Sequence, residues 1–129
     1  MTSGDAKGSF VGLNEVLVER SSRYRLVRLE VFVGRDRLAE FSSDGVIVAT
    51  PTGSTAYSFS AGGSILDPRL RNVVITPVAA YLSPLHSVVA GEDHEVHLTL
   101  REAHESALIS LDGQEDLPMT VGDRVEVRA

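Results

Sequence analysis

The sequence contains no cysteine among its 129 residues. The chain therefore has neither a disulfide framework nor a thiolate metal site, and its stability must come from the burial of apolar side chains. Such a composition is compatible with a reducing compartment, and we expect a cytoplasmic protein.

Long apolar runs are missing as well. No stretch is long enough to span a bilayer, and residues 1–8 lack the apolar segment of a signal peptide. The net charge of −6 surrounds the chain with a negative field, which repels nucleic-acid phosphates and anionic lipids. We expect neither nucleic acid nor a membrane as a partner.

The length and the hydrophobic content of 43% fit one domain with a single core. The opening residues are small and polar, which favours a flexible start or the edge of a fragment over residues 1–10. The domain itself is expected over residues 11–129, with further sequence upstream of it.

Short runs rich in Val, Leu and Ile recur about every ten residues with turn formers between them, a spacing typical of an all-β sandwich or barrel. We predict an all-β fold of about eight or nine strands in a two-layer β-sandwich, with one short helix. The stretch from Asp112 to Asp116 is predicted to be a turn. The predicted strands are 14–20, 24–33, 38–42, 45–50, 72–76, 87–90, 95–100, 107–111 and 124–128.

Two of these strands, 24–33 and 38–42, are expected to form a hairpin. Most arginines of this hairpin lie on its polar face, so we interpret them as solvent-exposed charges rather than as a surface for a partner.

The run from Gly45 to Thr50 is continuously apolar, which favours a strand buried on both faces. Residues 51–54, Pro-Thr-Gly-Ser, then force a turn, and Thr55 to Ala61 can form a short helix that ends at Gly62-Gly63. A strand followed by a hydroxyl-rich turn and a helix start presents free N–H groups and hydroxyls at one point. Such an arrangement suits the phosphates, ribose or purine edge of a nucleotide.

Two interpretations of this turn are open from the residues alone. Gly53 could let the backbone approach a ligand and Tyr57 could stack on one, or the segment could be a plain turn whose hydroxyls cap a helix. The turn is not a Walker A loop, because no Gly-Lys-Ser/Thr follows it, and it lacks the spaced glycines of the dinucleotide fingerprint.

The string from Asp44 to Gly63 resembles the signature of the NAD kinase family, which is close to Asp-Gly followed by TPTGSTAYSLSAGGP. Asn14-Glu15, Thr76-Pro77 and residues 112–114, Asp-Gly-Gln, resemble three further motifs of that family, in the same order. Together the motifs cover residues 13 to 128. The resemblance implies the C-terminal, NAD-binding domain of an enzyme that phosphorylates the adenosine ribose 2′-hydroxyl of NAD to make NADP.

The resemblance also assigns roles to matching positions. Asn14 and Glu15 would hold adenine and ribose groups, Asp44 would accept a hydrogen bond from the nicotinamide amide, and Asp112 would lie near the pyrophosphate and metal region. Ionised carboxylates suit these roles because they are strong acceptors. The helix-start residues would line the adenine edge and shape the dinucleotide pocket. The expected NAD-binding residues are Asn14, Glu15, Asp44, Thr52, Thr55, Ala56, Tyr57, Ser60, Ala80 and Asp112.

One family motif, Gly-Gly-Asp-Gly-Thr, is absent from this sequence. In the family it lies on an N-terminal ATP-binding domain and supplies the aspartate that acts as general base. We therefore expect no catalytic residue in this chain, which should bind NAD without catalysing its phosphorylation. The complete enzyme would use Mg²⁺ with ATP or polyphosphate, and this chain would bind no cofactor tightly. The resemblance further implies NAD and NADP as ligands and a homo-oligomer, either a dimer or a tetramer.

A second departure lies in residues 76–87, where Tyr81 stands in place of a frequent His and His86 in place of a frequent Arg. This loop contacts a neighbouring subunit in the family, so its altered residues indicate a divergent branch. With the missing motif, they also motivate the alternative of a non-catalytic nucleotide-binding or regulatory module derived from the same fold. Related lipid kinases pair a similar ATP-binding domain with a β-sandwich, but they lack the TPTGSTAYS run.

Other functional constellations are weaker. His94 and His97 lie three apart in a predicted strand, which places them on opposite faces, so we expect no metal site. A triad of Ser60, His86 and Asp112 would lack the Gly-x-Ser-x-Gly nucleophile elbow.

Overall fold

The computed structural model describes residues 2–3, 14–21, 26–55, 57–67, 69–81, 86–91, 93, 95–104 and 106–128. Within these residues the fold is almost entirely β, as predicted. Helical structure is limited to a 3-10 turn at Thr52–Thr55 and one helix, α1, at Tyr57–Ser60. The strands in this part of the chain are β1 Thr2–Ser3, β2 Glu15–Arg20, β3 Val27–Val33, β4 Asp36–Ser43, β5 Gly45–Ala49, β6 Val73–Val78, β7 Val88–Ala90, β8 Val96–Glu102, β9 Ala107–Leu111, β10 Gln114–Met119 and β11 Arg124–Val127.

The strands form two antiparallel sheets. The first has the order β1-β11-β8-β3-β4, and the second has the order β10-β9-β2-β5-β6-β7. Alternate residues of both sheets meet in one core, for example Leu29 and Leu98 from the first sheet and Val18 from the second, all 0% exposed. This packing confirms the predicted two-layer sandwich.

Strand β5 is buried on both faces, as its continuous apolar sequence predicts. Val46 and Val48 point into the core between the sheets. Ile47 and Ala49 point to the outer face of the second sheet, where they form a smaller cluster with Leu66 and others. The segment after the turn therefore covers the outside of β5.

The charged face of the β3–β4 hairpin points to solvent, also as predicted. Arg28 pairs with Glu40 at 2.9 Å, and Glu30 pairs with Arg37 at 2.8 Å and with Arg101 at 2.7 Å. These arginine side chains are each about half exposed. Tyr24, at the start of the predicted second strand, lies outside the described residues.

The prediction of a turn over residues 112–116 is wrong beyond its first two residues. Asp112 and Gly113 have φ of 53° and 75°, the backbone of a type I′ turn that reverses a hairpin in two residues. Gln114 therefore already pairs with Leu111, and β10 continues to Met119 as an edge strand. In this edge strand Gln114, Leu117 and Pro118 are exposed.

The opening of the chain, which the sequence analysis interprets as linker-like, contains one paired segment. Thr2 and Ser3 lie opposite Glu126 and Val125 of β11. Among the described residues, no helix is long and apolar enough to cross a membrane.

Candidate functional site

The hydroxyl-rich turn begins where β5 ends, and Thr50 attaches it to the residue before β2. The Thr50 amide donates to the Asn14 carbonyl at 2.9 Å, and the Thr50 hydroxyl lies 3.2 Å from the same oxygen. The hydroxyl also accepts a bond from the Gly53 amide at 3.0 Å. One threonine side chain thus couples the turn to Asn14.

Gly53 packs directly on the backbone of Asn14. A Cβ at Gly53 would lie 2.6 Å from the Asn14 Cα and closer still to its carbonyl group, so no larger residue fits without a backbone shift. The close approach of Gly53 to a ligand stays a prediction. The structure shows that Gly53 closely approaches the backbone just before β2.

Ser54 anchors the far side of the turn. Its hydroxyl, fully buried, donates to the Pro51 carbonyl at 2.6 Å and accepts from the Leu66 amide at 2.9 Å. From the sequence, Ser54 is predicted to form the turn or to cap the following helix, whereas no structural role is predicted for Thr50. The clustering of hydroxyl residues around Pro51 and Gly53 is the sequence signal from which these hydrogen bonds within the turn could be predicted.

Three of the predicted site residues meet at the start of β2. Oδ1 of Asp112 accepts hydrogen bonds from the amides of Asn14 and Glu15, at 2.7 and 2.9 Å. The Asp112 amide donates to the Glu15 carbonyl at 2.9 Å. These bonds join Asp112 to Asn14 and to Glu15, which lie 98 and 97 positions away from it in the sequence.

The Glu15 side chain places a carboxylate at this junction. Its Oε2 atom is buried and has no hydrogen-bond partner among the described residues. Burial raises the pKa of Glu15 above its ordinary value, and the nearby charge of Asp112 raises this pKa further. The junction therefore contains a desolvated acceptor suited to a donor group of a ligand.

Thr52 and Thr55 lie exposed on the adjacent 3-10 turn, where the Thr55 hydroxyl donates to the Thr52 carbonyl at 3.3 Å. One end of the second sheet thus carries five of the predicted site residues. We call this group the junction cluster: Asn14, Glu15, Thr52, Thr55 and Asp112.

Two other predicted residues lie at the opposite end of β5. Asp44 precedes β5, and its Oδ1 is 3.1 Å from Nε of Arg20, with the two side chains 34% and 30% exposed. Ala80 follows β6, whose residue Val78 pairs with Gly45 at this same end. The five residues of β5 separate Asp44 from the junction cluster by roughly 16 Å at the usual rise per residue.

The remaining predicted residues belong to the segment between the two ends. Tyr57 and Ser60 are part of α1, which packs on the outer face of the second sheet through a 3.3 Å contact between the hydroxyls of Ser58 and Thr76. Ala56 lies outside the described residues.

A separate group of possible metal ligands lies on the first sheet. Glu95, His97 and Glu126 place one ligand atom each within 4.8 Å of one another. The Arg128 guanidinium already binds both carboxylates, at 2.8 Å from Glu95 and 2.6 Å from Glu126. His94 lies outside the described residues.

Together these features define a β-sandwich domain with a hydroxyl-rich turn and a buried carboxylate at one sheet end. The family described as ATP-NAD kinase C-terminal domain matches residues 13–129, and the chain belongs to this family.

Curated relatives agree with this assignment. The NAD kinase of Chloroflexus aggregans is 44% identical over 126 residues, covering 98% of this chain and 45% of that protein. The NAD kinase of Carboxydothermus hydrogenoformans is 40% identical over 119 residues, covering 92% of this chain and 42% of that protein. The chain thus spans less than half the length of these relatives.

Solved structures show the same fold. A crystal structure of yeast NADH kinase complexed with NADH superposes with a TM-score of 0.83 at 30% identity, covering 98% of this chain and 38% of that one. A crystal structure of an NAD kinase from Archaeoglobus fulgidus in complex with ATP gives a TM-score of 0.81 at 25% identity, covering 92% and 45%. The resemblance identified in the sequence is confirmed.

Proposed function

We propose that this chain binds NAD as the acceptor part of a kinase that makes NADP. The complete protein would transfer the terminal phosphoryl group of ATP or polyphosphate to the 2′-hydroxyl of the adenosine ribose. Relatives named NAD kinase and a structural neighbour containing NADH support this substrate class.

The observation that carries the proposal is the buried, unpartnered Oε2 of Glu15 beside the exposed threonines of the turn. A buried acceptor without a partner costs free energy unless a ligand donates to it. Ribose hydroxyls and the adenine amino group are donors of this kind. We propose that Asn14 and Glu15 bind the adenosine half, with Thr52, Thr55 and Ala56 beside it.

The other proposed contacts extend away from the junction cluster. Tyr57 and Ser60 of α1 would shape the pocket along the outer face of the second sheet. Asp44 and Ala80 would meet the nicotinamide half at the opposite end of β5. Asp112 belongs to the adenosine side with Asn14 and Glu15, from whose amides its carboxylate accepts hydrogen bonds.

We propose that this chain holds the acceptor without performing the transfer. Phosphoryl transfer depends on positioning and on charge neutralisation around the phosphates, and the motif expected to do this is absent from the sequence. Mg²⁺ prefers about six oxygen ligands. Of the two carboxylates at the junction, Asp112 is already engaged by backbone amides, so the ion would be held mainly by the donor phosphates and an N-terminal ATP-binding domain.

We also propose that the protein works as a cytoplasmic homo-oligomer. Large apolar side chains are exposed along α1, the segment after it and the edge strand β7, and such surfaces are typically covered by another polypeptide. Phe59, Ile65 and Val89 are 54%, 58% and 46% exposed. The N-terminal domain or a second copy would cover them. The lack of cysteine is compatible with the reducing cytoplasm.

Calorimetry of the folded chain with NAD tests the binding function. We expect saturable binding with a sub-millimolar Kd, and sedimentation of the same sample reports its oligomeric state. A folded sample that binds neither NAD nor NADP at millimolar concentration would contradict the proposal. NADP formation should then require the N-terminal domain added in trans with ATP and Mg²⁺, and activity of this chain alone would show that it is catalytic by itself.

A further inference from the structure

The carboxylate of Asp112, in the Asp-Gly-Gln motif, binds backbone amides of a distant strand. It belongs to the two-residue turn between β9 and β10, with φ of 53°. Its Oδ1 reaches across to β2, where it accepts bonds from the amides of Asn14 and Glu15 at 2.7 and 2.9 Å. Its own amide donates to the Glu15 carbonyl at 2.9 Å. The turn and the start of β2 are therefore joined by three hydrogen bonds.

These bonds lie just beyond the regular sheet. The ladder between β2 and β9 begins with Val16 opposite Leu111, so Asn14 and Glu15 extend past its end on this side. Amides in such a position need another acceptor. The Asp112 carboxylate provides it, and a charged acceptor makes these bonds stronger than neutral ones.

The arrangement holds the residues that we propose to bind the nucleotide. Asn14 is also clamped from its other side by Thr50 and Gly53, and Glu15 presents its buried Oε2 from the same short segment. Two carboxylates are kept close together here, although like charges repel. We propose that Asp112 is a positioning residue, which fixes the Asn14-Glu15 backbone so that both side chains face the nucleotide; this rests on the proposed function.

The turn itself allows a clean test. Positive φ is tolerated by Asp, Asn and Gly, so Asp112→Asn and Asp112→Gly both keep the type I′ turn. Asn retains an Oδ1 acceptor for the two amides, whereas Gly removes it. We expect Asp112→Gly to weaken NAD binding on the order of tenfold, because the two hydrogen bonds that fix the binding segment are lost, while Asp112→Asn, which keeps an acceptor for both amides, stays within about threefold of wild type. Calorimetry at a temperature where all three chains are folded measures this.

Amide hydrogen exchange by NMR provides a readout that needs no ligand. In Asp112→Gly the amides of Asn14 and Glu15 should exchange faster than in wild type, and in Asp112→Asn they should remain protected. The amide proton shifts of Asn14 and Glu15 should also differ between wild type and Asp112→Asn, because a neutral amide oxygen is a weaker acceptor than a carboxylate. The last comparison uses only conservative variants, so it stands even if Asp112→Gly does not fold.

Asp123→Ala is the matched control. The Asp123 carboxylate also accepts from a turn, with Oδ2 at 3.0 Å from the amide and 3.2 Å from the hydroxyl of Thr120, but it lies before β11 on the other sheet. We expect this variant to lose some stability and to keep its NAD affinity.

Unchanged NAD affinity and unchanged exchange in a folded Asp112→Gly sample would overturn the positioning role. Equal loss of affinity in the Asn and Gly variants would overturn it too, because charge rather than acceptor geometry would then matter. Failure of the proposed function would look different: the wild-type chain would itself not bind NAD, and the positioning role would fall with it.

Discussion

At the scale of single residues, the proposed binding role of Glu15 opposes the stability of the fold. Its carboxylate is partly desolvated and lies near Asp112, and both effects raise its pKa above the ordinary 4.5. The folded chain therefore binds the Glu15 proton more tightly than the unfolded chain does. This contribution to stability is full below pH 4.5 and is lost as the pH rises through the folded-state pKa.

Glu15→Gln should consequently stabilise the chain at pH 7 relative to wild type, with little difference at pH 4, because the variant removes a desolvated charge. The same change should weaken NAD binding by about tenfold, since a neutral amide oxygen is a weaker acceptor for ribose hydroxyls. Urea denaturation at the two pH values and calorimetry measure the two effects.

Glu102→Gln is a suitable control, because the Glu102 side chain is 69% exposed on the first sheet. It should leave NAD affinity unchanged. A Glu15→Gln chain that is equally destabilised at both pH values would show that the carboxylate supports the fold.

At the scale of elements, the turn after β5 packs against the start of β2. Gly53 has no room for a side chain against Asn14, and the hydroxyls of Thr50 and Ser54 hold the turn from both sides. The turn cannot move without moving the start of β2. The proposed binding residues on the turn and at the start of β2 are therefore held in a fixed relation to one another.

Gly53→Ala should break this link. The added methyl group must displace the Asn14 backbone, and overpacking of this kind destabilises by about 1–3 kcal/mol. The free energy of NAD binding should fall by more than the free energy of unfolding, because the displaced residue is a proposed ligand contact. Thermal unfolding and calorimetry compare the two losses.

Gly122→Ala provides the comparison variant, since Gly122 has a φ of 97° in a turn before β11, with open space around it. It should lower stability through backbone strain while preserving NAD affinity. If Gly53→Ala and Gly122→Ala both reduced NAD affinity in proportion to their loss of unfolding free energy, the link between the turn and Asn14 would have no specific role in binding.

At the scale of the whole molecule, the proposed site residues divide between two ends of β5. The junction cluster lies at one end, while Asp44 and Ala80 lie at the other. In the proposed complex the dinucleotide would either extend along α1 between the two ends or meet Asp44 of a second copy. Mixing two variants that are each impaired in binding distinguishes these arrangements.

We expect a mixture of Glu15→Gln and Asp44→Asn chains to regain binding if the protein is a homo-oligomer with shared sites. In random dimers about one quarter of the sites would contain both wild-type groups. Calorimetry of the mixture measures the number of restored sites, with each variant alone as the baseline. Mixed oligomers, detected by capture of a tag carried by only one variant, without any regained binding would mean that one chain supplies both groups.

The sequence by itself determined the features that depend on local pattern. Runs of Val, Leu and Ile predict the strands because side chains alternate faces along a strand, and the continuous run from Gly45 marks burial on both sides. The string from Thr50 to Ser60 identifies the family because so many positions match in order. The sequence predicts no strand at β10, because the polar run Gln114-Glu115-Asp116 at its start resembles a turn.

Only the tertiary structure decided which distant residues meet. Asp112 and Asn14 are 98 positions apart, and their contact depends on the register between β9 and β2. A side-chain period of two shows which face of a strand is buried, but it leaves open how far one strand slides along another in steps of two residues. For the same reason the sequence could name Asp44 and Glu15 as site residues, while only the paired strands placed them at opposite ends of β5.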